Sequence, residues 1–273
     1  TTPSSGQNLP QIVTHILQKA FFKHALERRS KQGDSPDYEY LRNWSEKEIG
    51  RKENNPLSFK GDKSFKGDNW VIRDRVAILF TSDLHLGHAN IISTCGRNAE
   101  SCGKDFTSVD EMNTFLIDKW NQKVEKDDEV YILGDLSFRS SQSVKTYLEQ
   151  LKGRKHLIIG NHDFKWQKNI QNMNDYFETV SNLEVIKLDK KLITLCHYPL
   201  LEWNGSRRAK DQETSISWLI HGHIHNSRDD VFEYIRDHLP CALNCGVDIN
   251  GFEPVTFEEL LANNNKWYGR SEE

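Results

Sequence analysis

Apolar residues along this chain gather into short runs of two different spacings. Residues 11–29, QIVTHILQKAFFKHALERR, place Val13, Ile16, Leu17, Ala20 and Phe21 on one helical face. Residues 30–75 are polar. Within them Phe59 to Asp62 and Phe65 to Asp68 both read FKGD, two copies that are too few for a structural repeat, so a loop-rich stretch is expected. The pattern changes near residue 76. VAILFTSD (76–83), EVYILGD (129–135), KHLIIG (155–160), LEVIKL (183–188), LITLCH (192–197) and SWLIHG (217–222) read as strands, with CALNCGVD (241–248) as a last one. Asp189-Lys190-Lys191 reads as a turn. Helical spacing recurs over 107–124, with Val109, Met112, Leu116 and Trp120 on one face and Ser108 with Glu111 as a capping box. A second helix is expected over 143–151, with Val144, Leu148 and Leu151 inward and Gly153 as its stop, and a third over 257–262. Strands that alternate with helices and later become hairpin-like predict a mixed-sheet α/β domain over 76–273, preceded by a helical and loop-rich extension over 1–75.

Composition narrows the classes. The chain has 273 residues, 36% of them hydrophobic and 28% charged. No run approaches the roughly 18–20 apolar residues that span a bilayer, which excludes a helical membrane protein. Full disorder is excluded by 13 Phe, 8 Tyr and 7 Trp. The net charge of −4 is uneven: residues 1–75 hold 14 Lys and Arg against 10 Asp and Glu, and the remainder is net −8. A mildly basic arm on an acidic body could touch an anionic partner, although a solvated surface explains so small an imbalance. Five cysteines without CxxC spacing suit reduced, buried thiols, and no basic stretch followed by an apolar one stands at the N-terminus. A cytoplasmic location is therefore expected.

The strand ends carry the chemistry. The first strand ends in Asp83-Leu84-His85, the second in Gly134-Asp135, and the third in Gly160-Asn161-His162-Asp163. The fifth run ends in His197, and the sixth opens into His221-Gly222-His223-Ile224-His225. Ligands in α/β folds gather beyond the carboxyl ends of strands, so successive strands deliver Asp, Asn and His to one sheet edge. These types suit two adjacent divalent transition-metal ions, with Mn, Fe, Zn and Ni all compatible. If Asp83-x-His85 and His223-x-His225 stay extended, each pair faces one way. The glycines before Asp135, Asn161 and His223 allow close backbone approach. Each motif alone is weak, and their conjunction is the signal.

This arrangement resembles the calcineurin-like metallophosphoesterase superfamily, whose pattern D-x-H, G-D, G-N-H-[DE], H, G-H-x-H is complete here over residues 76–255. Ser82 to His88 and Gly246 to Gly251 look like a small bacterial and phage subgroup. The resemblance implies an αββα four-layer sandwich of two mixed sheets flanked by helices. It implies one metal held by Asp83, His85 and His225, the other by Asn161, His197 and His223, and Asp135 as the bridge. The implied reaction is hydrolysis of a phosphomonoester or phosphodiester. A hydroxide between the metals would attack in line, and His162 would act as general acid or charge stabiliser. Ser/Thr protein phosphatases of the superfamily carry a second Asp where Phe138 stands and Glu where Asp163 stands, which argues against that activity.

Further candidates are His88, Asn90, Arg139, Asp163 and His221, as supports of the ligands or substrate contacts. Lys165, Arg207, Arg208 and Lys210 could attract an anion, and Trp166, Tyr198 and Trp203 could stack on a ring. The expected substrate is a small phosphorylated compound, with a nucleotide or nucleic-acid end favoured. Competing readings are a nuclease on DNA or RNA, for which the basic arm is the sole candidate grip, and a non-catalytic protein-binding scaffold. Helix 11–29 is a candidate homo-oligomer contact.

Overall fold

The computed structural model describes residues 76–270. The helix expected over 11–29, the stretch to residue 75 and the oligomer contact lie outside them. Two four-stranded sheets form the frame. In the first, β1 (Ile78–Thr81), β2 (Glu129–Ile132), β3 (Arg154–Ile158) and β4 (Thr179–Ser181) run parallel in that order. In the second, β5 (Leu183–Leu188) pairs antiparallel with β6 (Lys191–Cys196), which runs parallel to β7 (Ser217–His221) and through it to β8 (Ala242–Asn244). An antiparallel bridge from Val255 to Phe80 gives the first sheet its mixed character.

Alternation along the strands builds the layers. Leu79, Ile132 and Leu157 face the helical side, where they join Met112, Leu116 and Trp120 of one buried cluster. Phe80, Leu133 and Ile158, each one residue on, join Ile193, Leu195, Ile220 and Leu243 in a second cluster that binds sheet to sheet. The expected four-layer sandwich is thus present.

Seven helices complete the described chain: α1 (Ile91–Thr94), α2 (Ala99–Cys102), α3 (Val109–Lys123), α4 (Val144–Leu148), α5 (Phe164–Gln167), α6 (Asp230–His238) and α7 (Phe257–Tyr268). Ser108 caps α3 as expected, accepting from the Glu111 N–H. The Glu111 carboxylate, however, turns back to the N–H and hydroxyl of Thr107 rather than to Ser108, so the expected reciprocal box is displaced by one residue. Helix α4 stops at Leu148 with Glu149 as its cap, and Gly153 instead supplies a left-handed turn into β3. Helix α7 runs six residues beyond the expected end. Helix α6 and strand β4 were not expected. Among the described residues no helix is long and apolar enough to cross a membrane. All five cysteines are free, and all but Cys102 are buried.

Candidate metal centre

The backbone first brings the motif loops together. Beyond β1 and β2 the chain keeps pairing, with Asp83 N–H on the Gly134 carbonyl (3.0 Å) and His85 N–H on the Asp135 carbonyl (2.9 Å). Beyond β6 and β7, the Gly222 N–H donates to the His197 carbonyl (2.9 Å). The two sheets meet at Ser82, whose N–H donates to Cys245 (3.1 Å) and whose carbonyl accepts from Val247 (3.1 Å). Gly134 and Gly160 abut so closely that a Cβ on Gly134 would lie 2.6 Å from the Gly160 Cα, and one on Gly160 would lie 2.4 Å from Asp135 Oδ1. The tight approach expected at these glycines is therefore required.

The side chains do not converge by extended geometry. Asp83, His85, Asp135, His223 and His225 all have left-handed φ, between 50° and 74°. The expectation that Asp83-x-His85 and His223-x-His225 share a face by staying extended is corrected: each motif turns through strained backbone. A non-glycine residue at such φ costs about 1–3 kcal/mol, which clusters at functional sites.

Three imidazoles meet around Asp135. Its Oδ2 lies 3.5 Å from His85 Nε2, 3.7 Å from His197 Nε2 and 3.8 Å from His162 Nε2. Asp83 Oδ1 lies 3.9 Å from His225 Nε2. Asp83, His85 and His225 present ligand atoms within 4.8 Å of one another, and so do Asp83, Asp135 and His197. A further such group joins His162 to His85 and Asp135, so the expected acid lies at ligand distance. Asn161 Oδ1 lies 2.9 Å from His197 Nε2. His223 is more loosely placed. It is exposed, belongs to none of these close groups, and meets His197 and Tyr198 through ring centroids 5.1 and 4.7 Å away.

The donor set fits a divalent cation. Asp83 Oδ1 and both ring nitrogens of His85 are buried without a hydrogen-bond partner, a costly state that a cation would relieve. Burial works against the charged form of His225, but Asp248, Cys95 and Asp83 outweigh it and push the ring up to about 11. Burial likewise works against ionised Asp135, but the rings of His85 and His197 hold its carboxyl well below the usual range.

Supporting residues fix these groups. Asp163 is fully buried and accepts from the N–H groups of Gly160 (2.8 Å), Asp135 (2.9 Å) and Leu136 (3.1 Å) and from the Trp166 indole (2.9 Å). Burial and neighbouring Asp135 push its carboxyl up to about 6, against the N–H groups of Gly160 and Asp135 and the nearby His197 ring. Asp163 clamps the Asp135 loop and is closed to solvent. His197 Nδ1 donates to the Leu133 carbonyl (2.7 Å), leaving Nε2 toward the cluster. His221 is buried behind the site with Nδ1 on the Gly222 carbonyl (2.9 Å). Trp166 and Trp203 are both buried and donate to Asp163 and Ser217, so neither stacks on a ligand. Tyr198 does reach the site. Arg207 and Arg208 lie exposed on a turn over Ser206–Arg208.

Sequence reasoning missed two residues. Asp248 accepts from His225 Nδ1 (2.8 Å) and from Arg97 Nε (2.7 Å). Arg97, fully buried, also donates to the carbonyls of Asp83 and Leu84 (2.8 Å each), holding the first motif from behind. Asp248 stands in the Gly246–Gly251 segment that carried part of the resemblance, whereas nothing local marks Arg97.

Comparison with known proteins follows the same line. The calcineurin-like phosphoesterase superfamily domain matches residues 76–246. An uncharacterized protein of Methanocaldococcus jannaschii is 31% identical over 190 residues, covering 67% of this chain and 89% of its own. The gene 66 protein of Mycobacterium phage D29 is 32% identical over 172 residues, 55% of this chain and 78% of its own. Among solved structures, a protein of unknown function from Aquifex aeolicus aligns with a TM-score of 0.48 at 25% identity, over 68% of this chain and 97% of that one. With the match spanning more than half of its length, the chain belongs to the calcineurin-like phosphoesterase superfamily, a family of metal-dependent phosphoesterases.

Proposed function

We propose that this protein is a dinuclear-metal phosphoric ester hydrolase acting on a phosphomonoester or phosphodiester, with a nucleotide or nucleic-acid end as substrate. The observation that carries the reading is the set of imidazole Nε2 atoms at 3.5–3.8 Å around one buried oxygen of Asp135, beside the unpartnered Asp83 Oδ1. Asp83, His85 and His225 would hold one ion and Asn161, His197 and His223 the other, with Asp135 between them. Two such ions, when bound, acidify water and neutralise phosphate oxygens.

The chain's own residues do the rest. Asp163 fixes the backbone of Asp135, so its carboxylate points into the cluster without adjustment during turnover. His197 and His225 are each oriented through Nδ1, which turns Nε2 inward toward Asn161 and Asp83. His162 has its N–H anchored on Asp135 Oδ1 (2.8 Å) and a ring that is 31% exposed, the most open of the imidazoles around Asp135. It is placed to give a proton to the departing oxygen at the mouth of the site.

The test is a metal-reconstituted assay comparing an aryl monophosphate with a bis-aryl phosphate, alongside metal analysis. Asp135→Asn should lose both activity and bound metal. A variant that keeps two ions and full turnover would refute the bridge, and a fully loaded wild type inert on both esters would favour the binding scaffold.

A further inference from the structure

Phe138 sits where the rim of the site meets His162, and apart from His162 the groups around it have no role in the reading above. Its ring centroid lies 3.9 Å from that of His162 and 4.9 Å, edge-on, from that of His88. Two cations from different segments lie over the same ring: the Arg139 guanidinium, from the loop after β2, at 5.1 Å and the Lys165 ammonium, from α5, at 5.2 Å. Both side chains are exposed, and among the described residues neither has a carboxylate within ion-pair distance. Arg139 is held at a φ of 50°, a strained backbone that its exposed position does not otherwise require. His88 Nδ1 is buried there without a hydrogen-bond partner. Two like charges beside several imidazoles, on a domain whose sequence is net acidic, repel one another unless an anion joins them.

Resting on the phosphoesterase reading, we infer that the substrate is an organic phosphate whose leaving group carries a second phosphate, bound by Arg139 and Lys165 over Phe138. The side is set by His162, because the groups that surround the proton donor surround the departing oxygen. The reaction balances as simple hydrolysis. A water oxygen bonds to phosphorus, the bond from phosphorus to the leaving oxygen breaks, and a proton reaches that oxygen. The second phosphate stays on the leaving group and is not cleaved in that step. A nucleoside bisphosphate and the phosphorylated end of a nucleic-acid strand share this chemistry.

The experiment uses the full chain loaded with Mn²⁺ and adenosine 3′,5′-bisphosphate against each adenosine monophosphate, read by equilibrium binding and by hydrolysis. Loss of a charge-assisted phosphate contact is expected to cost roughly 10–100-fold in affinity. The wild type should favour the bisphosphate by at least about tenfold, chiefly in KM. Arg139→Ala with Lys165→Ala should erase that advantage while lowering monophosphate turnover far less. Arg139→Lys with Lys165→Arg should keep most of it. An absent preference in the wild type, or one that survives the double alanine variant, overturns the inference. If nothing is hydrolysed, the phosphoesterase reading fails, and the binding gap between bisphosphate and monophosphate still decides the second-phosphate site. A trinucleotide bearing a 3′-phosphate, run in parallel, separates strand end from free nucleotide by which shows the larger dependence on Arg139 and Lys165.

Discussion

The floor and the rim of the candidate metal centre are built on different principles. On the floor, the side chains of Asp83, His85, Asp135, Asp163, His197, Arg97 and Asp248 are at most 3% exposed. Most are fixed by named hydrogen bonds: Asp163 by four donors, Asp248 by Arg97 and His225, and His197 by the Leu133 carbonyl. On the rim, His162, Phe138, Arg139 and Lys165 touch mainly through rings and cations. Hydrogen bonds hold a group to within tenths of an ångström, whereas ring packing allows sliding. The floor therefore suits ligand positioning, and the rim suits contact with a variable organic group.

The floor should fail through stability. Arg97→Leu removes the guanidinium from buried Asp248, leaving only His225 beside it, and strips donors from the carbonyls of Asp83 and Leu84. Breaking a buried pair on one side costs about 3–5 kcal/mol, measurable by denaturant unfolding. A loss under about 1 kcal/mol would show that the floor is held by packing, and the contrast would collapse.

The rim should fail through rate. His162→Ala is expected to lower kcat by about 10²–10⁴-fold, the usual contribution of a positioned acid or base. Its melting temperature and metal content should match the wild type. If bound metal is lost instead, His162 is a ligand, as its place beside His85 and Asp135 allows, and it belongs to the floor.

Metal addition sharpens the same boundary with a smaller effect. A ligand present at 100 times its Kd stabilises the folded state by about 2.7 kcal/mol. Mn²⁺ should raise the melting temperature of the wild type and of Lys165→Ala alike, and chelation should reverse it. The shift should vanish in Asp135→Asn. Equal shifts in wild type and Asp135→Asn would place the ion elsewhere.

The convergence of the floor was largely legible in the sequence, because its proposed ligands stand near the ends of apolar runs. Strands β1, β2 and β3 each carry an apolar run (Ile78 to Phe80, Val130 to Ile132, and Leu157 with Ile158), and each ends two or three residues before a proposed ligand. Strand β4 escaped notice because Thr179–Ser181 is short and half-buried throughout. Helix α6 escaped because only Phe232 and Ile235 are buried within a segment otherwise dominated by charge. The left-handed turns at Asp83 and His85 left no trace, since residue spacing reports periodicity and not the sign of φ. The pair of Arg97 and Asp248 spans 151 positions, and a single buried ion pair has no period to detect. The role of Phe138 was visible only as a departure from a family pattern, and its contact with His162 required coordinates.

Asn90 gives the smallest and most local test of where the rim ends. The sequence placed it among substrate or supporting candidates because it follows the first motif. In the structure it is exposed at the start of α1, and its side chain makes no capping hydrogen bond. Its carbonyl, rather than its amide, accepts from the hydroxyls of Ser93 and Thr94. An alanine keeps that carbonyl. Asn90→Ala should therefore change stability by no more than about 0.5 kcal/mol and leave turnover of an aryl monophosphate within about twofold, since that factor is near 0.4 kcal/mol in the barrier. His88, two residues earlier, packs its ring on Phe138 and His85, so the boundary falls between the two. A tenfold rise in KM for Asn90→Ala would move the boundary outward and make the amide a substrate contact.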